Sequence, residues 1–140
     1  MTSIDIWLPC VPPTTTAQQK GAFVAGGKVR FFTKKKVAQA QGSIIALLQH
    51  FMPDTPYEGP LRVSICWDFP FRKSESKARR KLAPLHIPSR PDVDNLAKGM
   101  LDAMTTLAFW RDDSQIADLR LIKRWNEPSG IRVFIEEIDL

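Results

Sequence analysis

Two short acidic clusters dominate the chemistry this chain could perform. Asp92 and Asp94 lie in Pro91-Asp92-Val93-Asp94-Asn95, and Asp112-Asp113 follows after Phe109-Trp110-Arg111. Carboxylates gathered in one place repel each other and resist ionisation unless a cation neutralises them. Mg²⁺ suits the task, because it takes hard oxygen ligands, commonly one or two carboxylates with waters and a substrate phosphate. A metal held that way activates water and clamps phosphoryl oxygens, which is the chemistry of phosphodiester hydrolysis. Lys98, four residues after Asp94, could stabilise charge on the phosphate or on the departing oxygen; otherwise it is an i,i+4 ion pair worth a few tenths of a kcal/mol. The bland reading of Asp92 and Asp94 is a pair of acids at a helix N-terminus, stabilised there by about 0.3–1 kcal/mol. That accounts for one aspartate but not for a second acidic pair beyond the same helix. A calcium loop starting at Asp92 is excluded, since its required glycine and bidentate acid would fall on Ala97 and Ala103.

The element that carries the first cluster is a helix. From Val93 to Ala108, residues Leu96, Ala97, Met100, Leu101, Met104, Leu107 and Ala108 fall in one arc. Asp94, Lys98 and Asp102 form a stripe on the opposite side. Such a helix spans about 24 Å, so Asp113 meets Asp92 within one chain only if the helix is shorter or the Phe109–Ile116 segment doubles back. Alternation predicts strands at Ile4–Leu8, Val63–Phe69, Ile116–Trp125 and Ile131–Ile138, with a strand or hairpin arm at Lys28–Phe32. Gly21, Gly26 and Gly27 sit in a polar stretch before that arm. Thr33 is placed to cap a helix carrying Val37, Ala40, Ile44, Ile45, Leu48 and Phe51, which Pro53 and Pro56 stop. The expected architecture is α+β: a single domain over residues 1–140, with two main helices on one face of a mixed sheet.

The composition agrees with one folded domain that handles phosphates. The 140 residues include 44% hydrophobic and 25% charged residues, so a largely disordered chain is excluded. Lys and Arg number 20 against 15 Asp and Glu, a net charge of +5. No stretch approaches the roughly 18 apolar residues of a membrane span, and the first ten residues lack a secretory pattern. Cys10 and Cys66 are too far apart in sequence for zinc-ligand spacing, and a cytoplasmic location is expected. Two basic runs stand out. Arg72, Lys73, Lys77, Arg79, Arg80, Lys81 and Arg90 form a mobile basic loop leading into the acidic motif, placed to contact nucleic acid. Lys34, Lys35 and Lys36 open the first helix, either as a solvated charge run or as a phosphate contact.

Pro91-Asp92-Val93-Asp94-Asn95-Leu96, Lys98, Asp102 and Phe109-Trp110-Arg111-Asp112-Asp113-Ser114-Gln115 resemble, without a gap, the signature of the RusA family of Holliday junction resolvases. The close match covers about a fifth of the chain, and the basic loop is longer than the family pattern. The resemblance implies a homodimeric, Mg²⁺-dependent endonuclease, with Mn²⁺ as a substitute, that nicks opposed strands of a four-way DNA junction. It implies Asp92, Asp94 and Asp113 as metal-binding catalytic carboxylates and Lys98 as the essential lysine. Asn95, Asp102, Asp112 and Gln115 would support them. It implies further a bacterial or phage origin. Two symmetric cuts call for two copies, and Trp7, Phe69, Phe109 and Trp110 are candidate interface aromatics. The alternative is a non-catalytic module that grips branched DNA, its acids serving as caps and ion pairs.

Overall fold

The computed structural model describes residues 2–14, 20–33 and 35–139. Strand β1 (Ser3–Pro9) is followed by a hairpin of β2 (Lys20–Ala25) and β3 (Lys28–Thr33), then helix α1 (Lys35–Leu48). Strand β4 (Leu61–Phe69), the short helix α2 (Lys77–Arg80) and the short strand β5 (Leu85–His86) come next. Helix α3 (Val93–Thr106), β6 (Ile116–Trp125) and β7 (Gly130–Glu137) complete the chain order. The main sheet runs β1-β7-β4-β6-β5, and β2-β3 stands as a separate two-stranded sheet. The fold is therefore α+β with a mixed sheet. Within the main sheet, among the described residues, only β4 and β6 run parallel; the other neighbours are antiparallel. Adjacent parallel strands need a crossover of a dozen or more residues, and α3 lies in the crossover between them.

Alternation decides which face of the sheet is covered. Leu61, Val63, Ile65, Trp67 and Phe69 of β4 are buried, as are Ile6 and Leu8 of β1 and Ile131, Val133 and Ile135 of β7. They join Ile44 and Leu48 of α1 and Leu96, Ala97, Met100, Ala103 and Met104 of α3 in one core. Each such aliphatic or aromatic side chain contributes about 1.5–3 kcal/mol when fully removed from water. Gln41 Nε2 donates to the Gly99 carbonyl at 2.9 Å and ties α1 to α3. A Cβ at Gly130 would collide with the Trp7 indole, so glycine is required where β1 and β7 end their register.

Several expectations need correction. The polar stretch before Lys28 contains strand β2, closed by Gly26 and Gly27, both at positive φ as tight hairpin turns demand. Thr33, expected to cap the first helix, ends β3, and Lys34 between it and α1 lies outside the described residues. The basic loop is folded rather than featureless. Ser76 Oγ accepts from the Arg79 N–H and caps α2, and β5 pairs with the end of β6. Arg80 ties the segment together: it donates to the carbonyls of Arg72 and Glu75, pairs with Glu127 at 2.9 Å, and lies over the Phe71 ring. Finally, Phe69, Phe109 and Trp110 are core residues, at 6%, 0% and 1% exposure, and present no surface to a second chain. Of the candidate interface aromatics only Trp7 is exposed.

Candidate active site

Helix α3 begins where Lys123 of β6 grips the incoming chain. The Lys123 ammonium donates to the carbonyls of Ser89 and Pro91, the latter at 2.7 Å, and the Ile87 N–H donates to the Lys123 carbonyl at 3.2 Å. Three bonds to one residue therefore fix the segment that delivers Asp92. Asp92 occupies the N-cap position with extended backbone, yet its side chain makes no capping hydrogen bond. Its backbone carbonyl starts the helix by accepting from the Leu96 N–H at 3.1 Å. Asp94 follows in the first turn, where the positive end of the helix dipole favours an anion. Asp92, Asp94, Lys98 and Asp102 are exposed and Asn95 is half-buried. Lys98 forms no ion pair with Asp94 or Asp102 at helical spacing, so the purely structural account of this stripe lacks its contacts. The aspartates likewise have no cationic partner among the described residues.

The second acidic pair is held at the other end of the same helix. Leu107 ends α3, and Ala108 takes a left-handed φ of 57° that turns the chain back, with the Phe109 N–H donating to the Met104 carbonyl at 3.0 Å. Buried Phe109 and Trp110 anchor the turn. The Tyr57 N–H donates to the Phe109 carbonyl at 2.8 Å, and Trp110 Nε1 donates to Thr105 Oγ1 at 2.8 Å. A single 3₁₀ turn, Asp113–Gln115, then leads directly into β6. Gln115 is its bracket. Its Oε1 accepts from the N–H groups of Arg111 and Asp112, and its Nε2 donates to the carbonyls of Tyr57 and Gly59. The Asp112 carboxylate accepts from Ser114 Oγ, and this bond, with backbone N–H groups of the turn, holds its pKa below the ordinary carboxylate value. Asp112 is thus engaged in building the turn, while Asp113 is exposed and carries no ion pair among the described residues.

The two pairs do not meet within one chain. Fourteen residues of α3 at 1.5 Å each separate them by about 21 Å. Strand β6 gives an independent measure: Asp113 precedes Ile116, Asp92 is tethered to Lys123, and seven strand residues span about 23 Å. Accordingly, no group of three His, Cys, Asp or Glu side chains able to hold a metal ion occurs among the described residues. Asp92 with Asp94 supplies two hard oxygen donors that have no cationic partner among the described residues, a donor set that would suit Mg²⁺. A three-carboxylate set drawn from one chain does not form.

Basic side chains collect at the Asp92 end. Arg72, Lys73, Lys77, Lys81 and Arg90 are exposed, and none of them has an acidic partner among the described residues. Arg80 is committed to the knot described above. Arg79 lies 3.5 Å from Glu75 and over the Trp125 ring. Lys34 lies outside the described residues, and Lys35 and Lys36 begin α1.

The family model for the endodeoxyribonuclease RusA matches residues 11–136. The chain belongs to the RusA family. It is an endodeoxyribonuclease by that membership, and similarity to named RusA proteins runs well beyond the acidic motif. The crossover junction endodeoxyribonuclease rusA of Lactococcus phage r1t is 32% identical over 126 residues, covering 89% of this chain and 90% of the phage protein. Bacillus subtilis YqaN is 28% identical over 131 residues, covering 90% and 91%. The crossover junction endodeoxyribonuclease RusA of Escherichia coli K12 is 48% identical over 40 residues, covering 27% and 33%. This RusA-family chain therefore places the two halves of its acidic motif at opposite ends of one crossover helix. Lys123 was missed by sequence reading because nothing local marks it. Its role comes from a contact across 32 residues.

Proposed function

We propose that this protein resolves four-way DNA junctions by paired, metal-dependent nicks, and that it does so as a homodimer. The observation that carries the reading is the set of exposed aspartates at both ends of α3 without cationic partners, beside a basic segment, in a chain of the RusA family. Asp92 and Asp94 would hold Mg²⁺ or Mn²⁺ at the helix N-terminus, and Asp113 of a second copy would complete the ligand set that one chain does not assemble. When bound, the ion supplies a Lewis acid that activates water and offsets charge on the scissile phosphate. Lys98, one turn along the exposed stripe, is placed to stabilise negative charge on the phosphate or the departing oxygen. Lys123 and Gln115 orient the acids, each through the backbone that carries them. Arg72, Lys73, Lys77, Lys81 and Arg90 provide the phosphate contacts that hold the strand at that end. Two sites related by a two-fold axis match the symmetric cuts a four-way junction needs.

The test is cleavage of four-way, three-way and linear DNA with and without Mg²⁺. The expected result is symmetric nicking of the four-way substrate only with the metal. Tight binding of the junction without nicking, in Mg²⁺ and in Mn²⁺, would instead establish a non-catalytic branched-DNA-binding module.

A further inference from the structure

Trp7 is the largest exposed apolar side chain among the described residues, at 38%, and the site described above gives it nothing to do. It stands on the open face of the sheet, opposite Arg132 of β7. Its indole lies across Gly130, where any Cβ would collide with the ring, so the backbone makes room for it there. The ring is thereby laid down as one wall of a cavity of about 490 Å³, whose other walls include Arg124, Arg132, Asn126 and Pro128. Pockets that hold small planar ligands run from roughly 300 to 1,000 Å³.

Charge and hydrogen-bonding capacity decide what fits. Arg132 is neutralised by Asp5 and Arg124 by Asp68, each guanidinium donating its Nε and Nη2 to the carboxylate. Two neutral pairs give a phosphate or a carboxylate no net charge to bind. They still leave Nη1 of each arginine without a partner among the described residues. Asn126 donates through Nδ2 to Asp68 at 3.3 Å, and its Oδ1 accepts nothing from the described residues. The cavity therefore offers donors, an acceptor and an indole face, all without net charge. Those are the requirements of a neutral planar heterocycle with both acceptors and donors on its edge, which a nucleobase is. Position decides where the base comes from. Asn126 and Pro128 flank Glu127, the residue to which Arg80 bolts the basic segment at 2.9 Å. Arg124 follows Lys123, which holds the Pro91 carbonyl from the other face of the sheet. The cavity and the Asp92–Asp94 end thus share one end of the sheet. The exposed cations Arg72, Lys73 and Lys77 lie on the segment that joins β4 to α3 there.

We propose that this cavity takes one unstacked base of the DNA strand held by the basic segment, stacking it on Trp7 and reading its edge with Arg132, Arg124 and Asn126. The proposal rests on the junction-binding reading above and deepens it. Phosphate contacts position a strand without reading it, whereas a base edge carries sequence. The cavity is where this chain acquires a preference for a base near the cut. Unstacking costs least where pairing is already disturbed, as it is at a branch.

The experiment is an abasic scan. Four-way junctions lacking one base at a time near the branch are titrated with wild-type protein and with Trp7→Ala, without divalent metal, so that binding is read apart from cleavage. Wild type should lose about tenfold in affinity at one position on each strand that is cut, the loss expected for one stacked base. Trp7→Ala should lose about tenfold on the intact junction and nothing further at that position, because ring and base form one contact. Its salt dependence should match wild type, since no phosphate contact is lost. Met52→Ala, which removes an exposed apolar side chain elsewhere, should bind as wild type does. A scan without a sensitive position, or a Trp7→Ala loss that is absent or equal on every abasic junction, overturns the pocket while junction binding by wild type stands. Free deoxynucleosides that bind wild type at micromolar concentration but not Trp7→Ala would assign the pocket to a free nucleoside and overturn it as a reader of the strand. Wild-type protein that binds four-way DNA no better than linear DNA overturns the junction reading itself. Should Trp7→Ala fail to fold, Trp7→Leu decides in its place, because it keeps bulk over Gly130 and lacks the stacking face.

Discussion

On the open face of the sheet, acids and arginines occur as pairs. Arg132 holds Asp5 at 2.6 Å and 3.0 Å, Arg124 holds Asp68 at 2.8 Å and 3.0 Å, and Arg62 bridges Asp118 and Glu136. At the two ends of α3, Asp92, Asp94 and Asp113 have no such partner among the described residues. The two regions use the same side chains for opposite ends. A neutralised face leaves the net charge of +5 to other segments, chiefly the basic runs near Lys28–Lys36 and Arg72–Arg90. The unpaired acids keep their oxygens available for a ligand.

Removing an acid from each region should therefore produce opposite phenotypes. Asp92→Asn, Asp94→Asn or Asp113→Asn should reduce junction nicking by about 10²–10³-fold or more while junction binding holds or tightens, and the melting temperature should not fall. Near-normal nicking by any one of them removes that residue from the active set. Asp68→Ala should do the reverse. Asp68 is 5% exposed and satisfies Arg124 and Asn126, so its loss leaves a partly buried guanidinium unpaired and costs about 3 kcal/mol. Denaturant melts should show that loss, while nicking per folded molecule stays near wild type. If both substitutions impair folding equally, the distinction between the two regions fails.

Finer tests sharpen the same contrast. Lys123→Met should leave the Ser89 and Pro91 carbonyls without their donor and loosen Asp92. Nicking is expected to drop about tenfold with a higher Mg²⁺ requirement, and Lys123→Arg should restore part of it. An unchanged metal dependence would make Lys123 merely structural. On the open face, Cys66 is pushed up to about 11 by burial and by the nearby Asp68 carboxylate, and Cys10 is raised by burial. A folded-state thiol pKa above the unfolded value keeps the proton on the folded chain. Its contribution to stability is present below about pH 9 and declines as pH rises through the folded value. Thiol-specific labelling at pH 8 should accordingly be slow for native Cys66 and rapid once the protein is unfolded. The smallest effect is expected at Ala108, whose φ of 57° favours glycine; Ala108→Gly should raise stability by at most about 1 kcal/mol in a chemical melt.

What the sequence made legible was local. Ile116–Trp125 shows as a strand from its first residue to its last, and Val93 starts α3 as the periodicity predicts. Those readings work because pleat and helical period are written residue by residue. The last turn was overextended because Leu107 and Ala108 continue the apolar arc, although the first ends the helix and the second reverses the chain. The hairpin at Gly26-Gly27 carried its own turn signal, but Lys20–Ala25 lacks the alternation that would have marked its first strand. The separation of Asp92 from Asp113 was visible only as a length problem. Its resolution depends on β4 and β6 being parallel neighbours, which no local pattern encodes. The Arg80 knot has the same origin, since Glu127 lies 47 positions away.

The pairing of β1 with β7 also constrains how the molecule comes into being. Arg132 and Asp5, which face each other across that pair, are 127 positions apart. A ribosome adding about 5–20 residues per second delivers the later strand roughly 6–25 s after the earlier one. Through that interval Ile6 and Leu8 lack their partner strand, and β4 lacks both of its neighbours until β6 is made. Closing the sheet is therefore an event of late synthesis, and the nascent chain waits with its first strand uncovered.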